Sequence, residues 1–129
     1  MMRRAPTVVL VFALGLVALA GVAEAHSHFG QMGPNGRWKD CAIEWEHAHS
    51  PSRAEAVTTN SGILLCDAIN VKIHYKLDGL FYTDWDADKV PPITSTSEGT
   101  DNGYDVFYWS SHDAKPTGAS YWIGGRKYH

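Results

Sequence analysis

The sequence predicts an all-β chain, a small antiparallel sandwich or barrel with one disulfide after a cleaved signal peptide, and three observations carry that expectation. Ile69, Val71, Ile73, Tyr75 and Leu77 alternate with Asn70, Lys72, His74, Lys76 and Asp78, the period-2 pattern of a strand with one buried and one wet face. Asp78-Gly79 supplies the left-handed backbone conformations of a two-residue type I′ turn, so Leu80 to Trp85 returns alongside, with Leu77 facing Leu80 and Tyr75 facing Tyr82. Further turn signals follow at short spacing with no helical stripe between them, which describes antiparallel sheets.

Residues 1–25 read as a secretory signal peptide. Arg3 and Arg4 precede an apolar run from Val8 to Ala23 that is short for a membrane span, and Ala23-Glu24-Ala25 has the small-x-small form of a cleavage site. Cleavage there places His26 at the mature N-terminus; cleavage after Ala20 is the alternative. The expected product is secreted and extracellular, with no membrane attachment once the signal is removed. Its 104 residues suit one domain, an N-terminal loop or arm at 26–37 followed by an antiparallel β-domain at 38–129. With 9 basic and 13 acidic residues it carries a net charge of −4, which argues against nucleic acid as a partner because phosphate backbones reward clustered Lys and Arg.

Cys41 and Cys66 are the only cysteines, and in an exported chain they most simply form one disulfide. Neither belongs to a Cys-x-x-Cys motif.

Taken in order, His26 to Gly36 is polar and Gly-rich, with a turn at Gly33-Pro34-Asn35-Gly36. Trp38 to His49 reads as the first strand, with Cys41, Ile43 and Trp45 on one face, and Pro51 ends it. Ser52 to Asn60 is ambiguous between a single helical turn, from the capping-box form Ser52-x-x-Glu55, and a short edge strand, from Val57-Thr58-Thr59. Beyond the central hairpin, Ile93 to Asp101 and Tyr104 to His112 are expected to form a second hairpin through Asn102-Gly103. A strand from Ala119 to Ile123, a Gly124-Gly125 turn and a terminal strand from Arg126 to His129 complete the expected elements.

Seven histidines make the composition unusual. At the mature N-terminus His26-Ser27-His28 offers an amine, two ionisable amides and a third-position imidazole, a square-planar set of four nitrogens suited to Cu(II) or Ni(II). An N-terminal histidine also resembles, in that one feature, the copper clamp of lytic polysaccharide monooxygenases. On a strand, His47 and His49 point the same way, about 7 Å apart, within reach of one ion if a third ligand such as His74 or His112 joins them. Ser110-Ser111-His112-Asp113 lacks a nucleophile-elbow context, and His112 and Asp113 fall on opposite faces. Asp84-x-Asp86-x-Asp88 begins like a calcium loop but has Lys89 where that loop needs glycine.

Aromatic side chains are the other candidate surface. Tyr104, Val106 and Tyr108 fall on one face of their strand, with Phe107 and Trp109 on the other. Ligand contact is expected through Tyr104, Tyr108 and Trp109, or through Trp122. No acid, base and nucleophile converge in the sequence, so the expected function is an extracellular binding or interaction module without catalytic activity, for a protein or carbohydrate partner. A copper- or nickel-binding secreted protein and a bacteriocin-like or toxin-associated protein, in the manner of lactococcin-type bacteriocins, are the alternatives.

Overall fold

The computed structural model describes residues 26–129; the export-signal reading of residues 1–25 lies outside them. Eight strands form two four-stranded antiparallel sheets stacked face to face, and they do not close into a barrel. One sheet runs β1 (His26–Met32), β2 (Ile43–His49), β3 (Ala54–Asn60), β6 (Ser95–Gly99). The other runs β5 (Leu80–Lys89), β4 (Ala68–Leu77), β7 (Val106–Lys115), β8 (Ile123–Tyr128).

The central hairpin has the expected register: Leu77 pairs with Leu80 and Tyr75 with Tyr82, around Asp78 and Gly79 at φ 52° and 81°. Cys41 and Cys66 are disulfide-bonded, which fastens the segment before β2 to the segment before β4. The bond lies in an apolar cluster with Trp38, Ile43, Ile69 and Ala114. Ala54, Ala56, Val71, Ile73, Tyr75 and Phe107 form a second cluster. Between the two the interior turns polar: the inward row of β7 reads Phe107, Ser110, His112, Ala114, and Thr58 follows Ala56 on β3.

Several elements depart from the sequence reading. The stretch expected to be a loop or arm contains β1, whose inward positions His26, His28, Gly30 and Met32 lie opposite the inward positions of β2. The strand expected from Trp38 is β2 and begins at Ile43, because Gly36–Trp38 winds into a 3-10 turn that buries the Trp38 indole. Ser52 to Asn60 resolves into β3, which is no edge strand; it lies between β2 and β6.

The second hairpin does not form. β6 pairs with β3 and β7 with β4, so the chain crosses between sheets at Asn102-Gly103. A type I′ turn needs positive φ at both central residues, and of the two only Gly103 has it, at 89°. Gly124-Gly125 is likewise no turn. β8 runs through it, because a Cβ at Gly124 would stand 2.1 Å from the His112 carbonyl oxygen, and glycine allows that approach. Asp84, Asp86 and Asp88 lie on strand β5, which is bulged against β4 between Asp86 and Lys89, rather than on a loop, and are bonded to Tyr75, Thr96 and Asn70 respectively.

Candidate metal centre

Antiparallel pairing of β1 with β2 sets His28 opposite His47 and His26 opposite His49. Since residues two apart on a strand share a face, four imidazoles gather on the inward side at one end of the sheet. The second sheet contributes a fifth. β8 pairs with β7 as far as Tyr128, and the His129 amide then donates to the Tyr108 carbonyl at 3.1 Å, which turns the last imidazole inward. Its ring centroid stands 4.0 Å from that of His49, 5.0 Å from His28 and 5.2 Å from His47.

Three of these rings converge tightly enough to share an ion. One ring nitrogen each from His28, His47 and His129 lies within 4.8 Å of the others. Nδ1 of His129 and Nε2 of His47 are 3.4 Å apart. Two imidazole nitrogens held about 2.0–2.1 Å from one ion at tetrahedral angles would stand about 3.4 Å apart, so this pair is already at ligand spacing. His28 and His129 are exposed while His47 is buried, which gives the group a wet mouth and a dry floor. Beside the mouth a shallow depression of about 600 Å³ is lined by Phe81, Tyr108, Trp109, Tyr128 and His129.

Burial and mutual repulsion favour the neutral form of His47, His49 and His129. Burial, then repulsion from His129, His28 and His49, pushes the His47 pKa down to about 4. His129 is pushed to about 4 by desolvation and by His49, His28 and His26, and His49 is lowered by burial and by His26 and His28. Neutral imidazole is the form that binds a metal, so at pH 7 His47 and His129 need lose no proton first.

A hydrogen-bonded second layer supports the floor. Nδ1 of His47 is 2.7 Å from Ser110 Oγ, Ser110 Oγ is 2.7 Å from Nε2 of His112, and Nδ1 of His112 is 2.7 Å from Thr58 Oγ1. All four residues are fully buried, and burial first, then His47 and Lys127, lowers the His112 pKa to about 3. His49 has its own partner: the Tyr104 hydroxyl donates to the Ser50 carbonyl, so His49 Nδ1 donates to Tyr104 Oη at 2.7 Å and its Nε2 keeps a free lone pair.

His26, His28, His47 and His49, anticipated as two separate sites, thus lie in one cluster. His74 is not among them, since it points outward from β4 and bonds Thr83. His112 sits behind His47 in the second layer. The sequence reading passed over His129; its one local signal was position, as the last residue of a strand whose register could not be read. Ser110 and His112 do hydrogen-bond, but Asp113 bonds Ser111 instead.

The aromatic candidates are dispersed. A bulge leaves Tyr108 unpaired between the His74–Trp109 and Tyr75–Phe107 pairs, so Phe107 turns into the core while Trp109 faces out. Trp109 stacks on His74 at 5.0 Å, and Arg126 lies 4.2 Å over its ring. Phe81 stacks on the far side of His74 at 5.9 Å, so Phe81, His74, Trp109 and Arg126 make a ladder across β5, β4, β7 and β8. Tyr104 is half-buried against the second cluster, and Trp122 is 41% exposed just before β8, at the opposite end of that strand from His129.

No family model, curated protein or solved structure matches the chain.

Proposed function

We propose that the protein is an exported, disulfide-stabilised β-sandwich that binds a divalent transition-metal ion through His28, His47 and His129, and acts by binding rather than by catalysis. One observation carries the reading: imidazoles from β1, β2 and the residue after β8, distant in sequence, bring one nitrogen each within 4.8 Å of one another. Neutral imidazole suits zinc, copper and nickel, and affinity in such a nitrogen site rises toward copper in the divalent series. His49 and His26 at the rim hold further imidazoles beside the mouth. Calorimetric titration of the purified, disulfide-bonded protein with Zn(II) and Cu(II) tests the proposal. One ion should bind per chain, and His47→Ala should weaken it at least tenfold; equal binding by that variant would refute it.

A second reading keeps copper or nickel at the mature N-terminus through the amine, the amides of residues 27 and 28, and His28. Pairing in β1 bears on it: successive amides of a ladder strand point to opposite sides, so one of these two is directed at β2. A square-planar site there would require the first residues of β1 to leave the sheet.

A further inference from the structure

The fully buried row behind His47 is unusual, because three polar side chains at the heart of a small domain are bonded to one another and to His47 rather than to the backbone. Each link from His47 Nδ1 to Ser110 Oγ, on to His112 Nε2 and from His112 Nδ1 to Thr58 Oγ1 is 2.7 Å. With neutral rings the chain satisfies every nitrogen in either direction. A serine hydroxyl has one proton and two lone pairs: if Ser110 donates to His47 it must accept from His112, and if it accepts from His47 its own buried proton is satisfied within the row by donating to His112. A cation on His47 Nε2 admits only one of these, because Nε2 must then be bare and the ring proton must sit on Nδ1.

We propose that Ser110 is a positioning residue of the metal centre: by accepting from His47 Nδ1–H and donating to His112 Nε2, it holds His47 with Nε2 free for the ion and fixes His112, which the ion does not touch, as the Nδ1–H tautomer donating to Thr58. The proposal rests on the metal-binding reading above. Its physical content is that the ring orientation of the buried ligand is set from the opposite sheet, by a strand that supplies no ligand. β7 delivers Ser110 and His112 two residues apart on its inward face, β3 delivers Thr58, and Trp45 roofs the row at 5.6 Å from His47 and 5.5 Å from His112. Nothing in this row has a route to solvent that would let water replace the serine hydroxyl, since Ser110, His112 and Thr58 are each 0% exposed.

The test has two independent readouts on the purified, disulfide-bonded protein. Long-range nitrogen–proton spectra of the Zn(II)-loaded form report the tautomer of each histidine, and His47 and His112 should both carry the proton on Nδ1. Zinc affinity should fall about 10–100-fold in Ser110→Ala, the range typical of lost second-layer partners, and should recover toward the original value in Ser110→Thr, which restores the hydroxyl. Finding His112 protonated on Nε2 in the loaded protein would overturn the proposal, as would undiminished affinity in a folded Ser110→Ala. Should that variant not fold, the tautomer of His112 in the unmutated protein still decides. Failure of the unmutated protein to bind zinc or copper is a different result, which refutes the metal reading itself.

Discussion

Gly30 of β1 lies directly opposite Trp45 of β2, and a Cβ built on it would stand 2.9 Å from the indole Nε1. The glycine therefore makes room for the ring that covers His47 and His112. Gly30→Val should push the indole off this seat, lowering stability by about 1–3 kcal/mol through overpacking and shifting the tryptophan emission. Urea unfolding and fluorescence spectra check it, and zinc affinity should fall in parallel because the roof of the histidine row moves.

Reduction of Cys41–Cys66 should be costly. The bond closes a loop with a sequence separation of 25, worth roughly 3 kcal/mol in the chain-entropy model. Both sulfurs also sit in the apolar cluster with Ile43 and Ile69, so Cys66→Ser adds a buried hydroxyl to that loss. Denaturation midpoints with and without reductant should separate clearly; coincident curves would refute the assignment.

Acid should destabilise the fold in a defined window. Unfolded imidazoles take up protons near pH 6.5, whereas in the folded protein His47 and His129 resist to about 4 and His112 to about 3. Between these values the unfolded state binds more protons, so this contribution to stability is complete above about pH 6.5 and is lost as the pH falls through the folded values. Melting temperature should decline from pH 6.5 toward pH 4. His112→Gln should flatten that decline, even if it lowers the melting temperature at pH 7.

What the sequence disclosed was what neighbours in the chain decide. The β4–β5 hairpin was legible to the residue pair because Asp78-Gly79 fixes the turn and the turn fixes the register. The disulfide followed from a pair of cysteines in a chain expected from its sequence to be exported. β6 and β7 were misjoined because a turn dipeptide says that the chain reverses, not which sheet receives it; Asn102-Gly103 serves a crossing. The histidine cluster was half legible. Same-face spacing grouped His26 with His28 and His47 with His49, but only the β1–β2 register joins the pairs. Only the β7–β8 pairing carries His129 to them.

The outer ladder of Phe81, His74, Trp109 and Arg126 yields a prediction about Trp109, expected from sequence to contact a ligand. Its ring is flanked by His74 toward β4 and Arg126 toward β8, so its removal breaks two cross-strand contacts and uncovers sheet. Each such pair contributes roughly 0.2–1 kcal/mol, so Trp109→Ala should lower stability by about 1–2 kcal/mol while leaving the protein folded. Thermal melts against Tyr108→Ala separate the two residues: Tyr108 has no partner residue on β4 and its ring lies 5.6 Å from His74 and 5.8 Å from Phe81, so its loss removes packing but no guanidinium contact.

Metal identity and pH distinguish the two candidate modes at the N-terminal strand. In the three-imidazole mode His47 and His129 are neutral well below pH 7 and no amine or amide has to be deprotonated, so affinity should fall far less from pH 7 to pH 5.5 than in the alternative, and Zn(II) should bind. In the four-nitrogen mode the ion must displace protons from an amine and two amides, so affinity should fall steeply over the same range, and Zn(II), which has no square-planar preference, should compete poorly. Substitution then decides. His129→Ala should weaken Cu(II) binding at least tenfold if the imidazoles hold the ion, because it removes the nitrogen 3.4 Å from His47 Nε2. It should leave binding unchanged if the N-terminus does, whereas His28→Ala weakens both. A Cu(II) titration of these two variants at pH 7 and pH 5.5 therefore assigns the site, and binding that survives His129→Ala intact but vanishes at the lower pH would refute the three-imidazole centre.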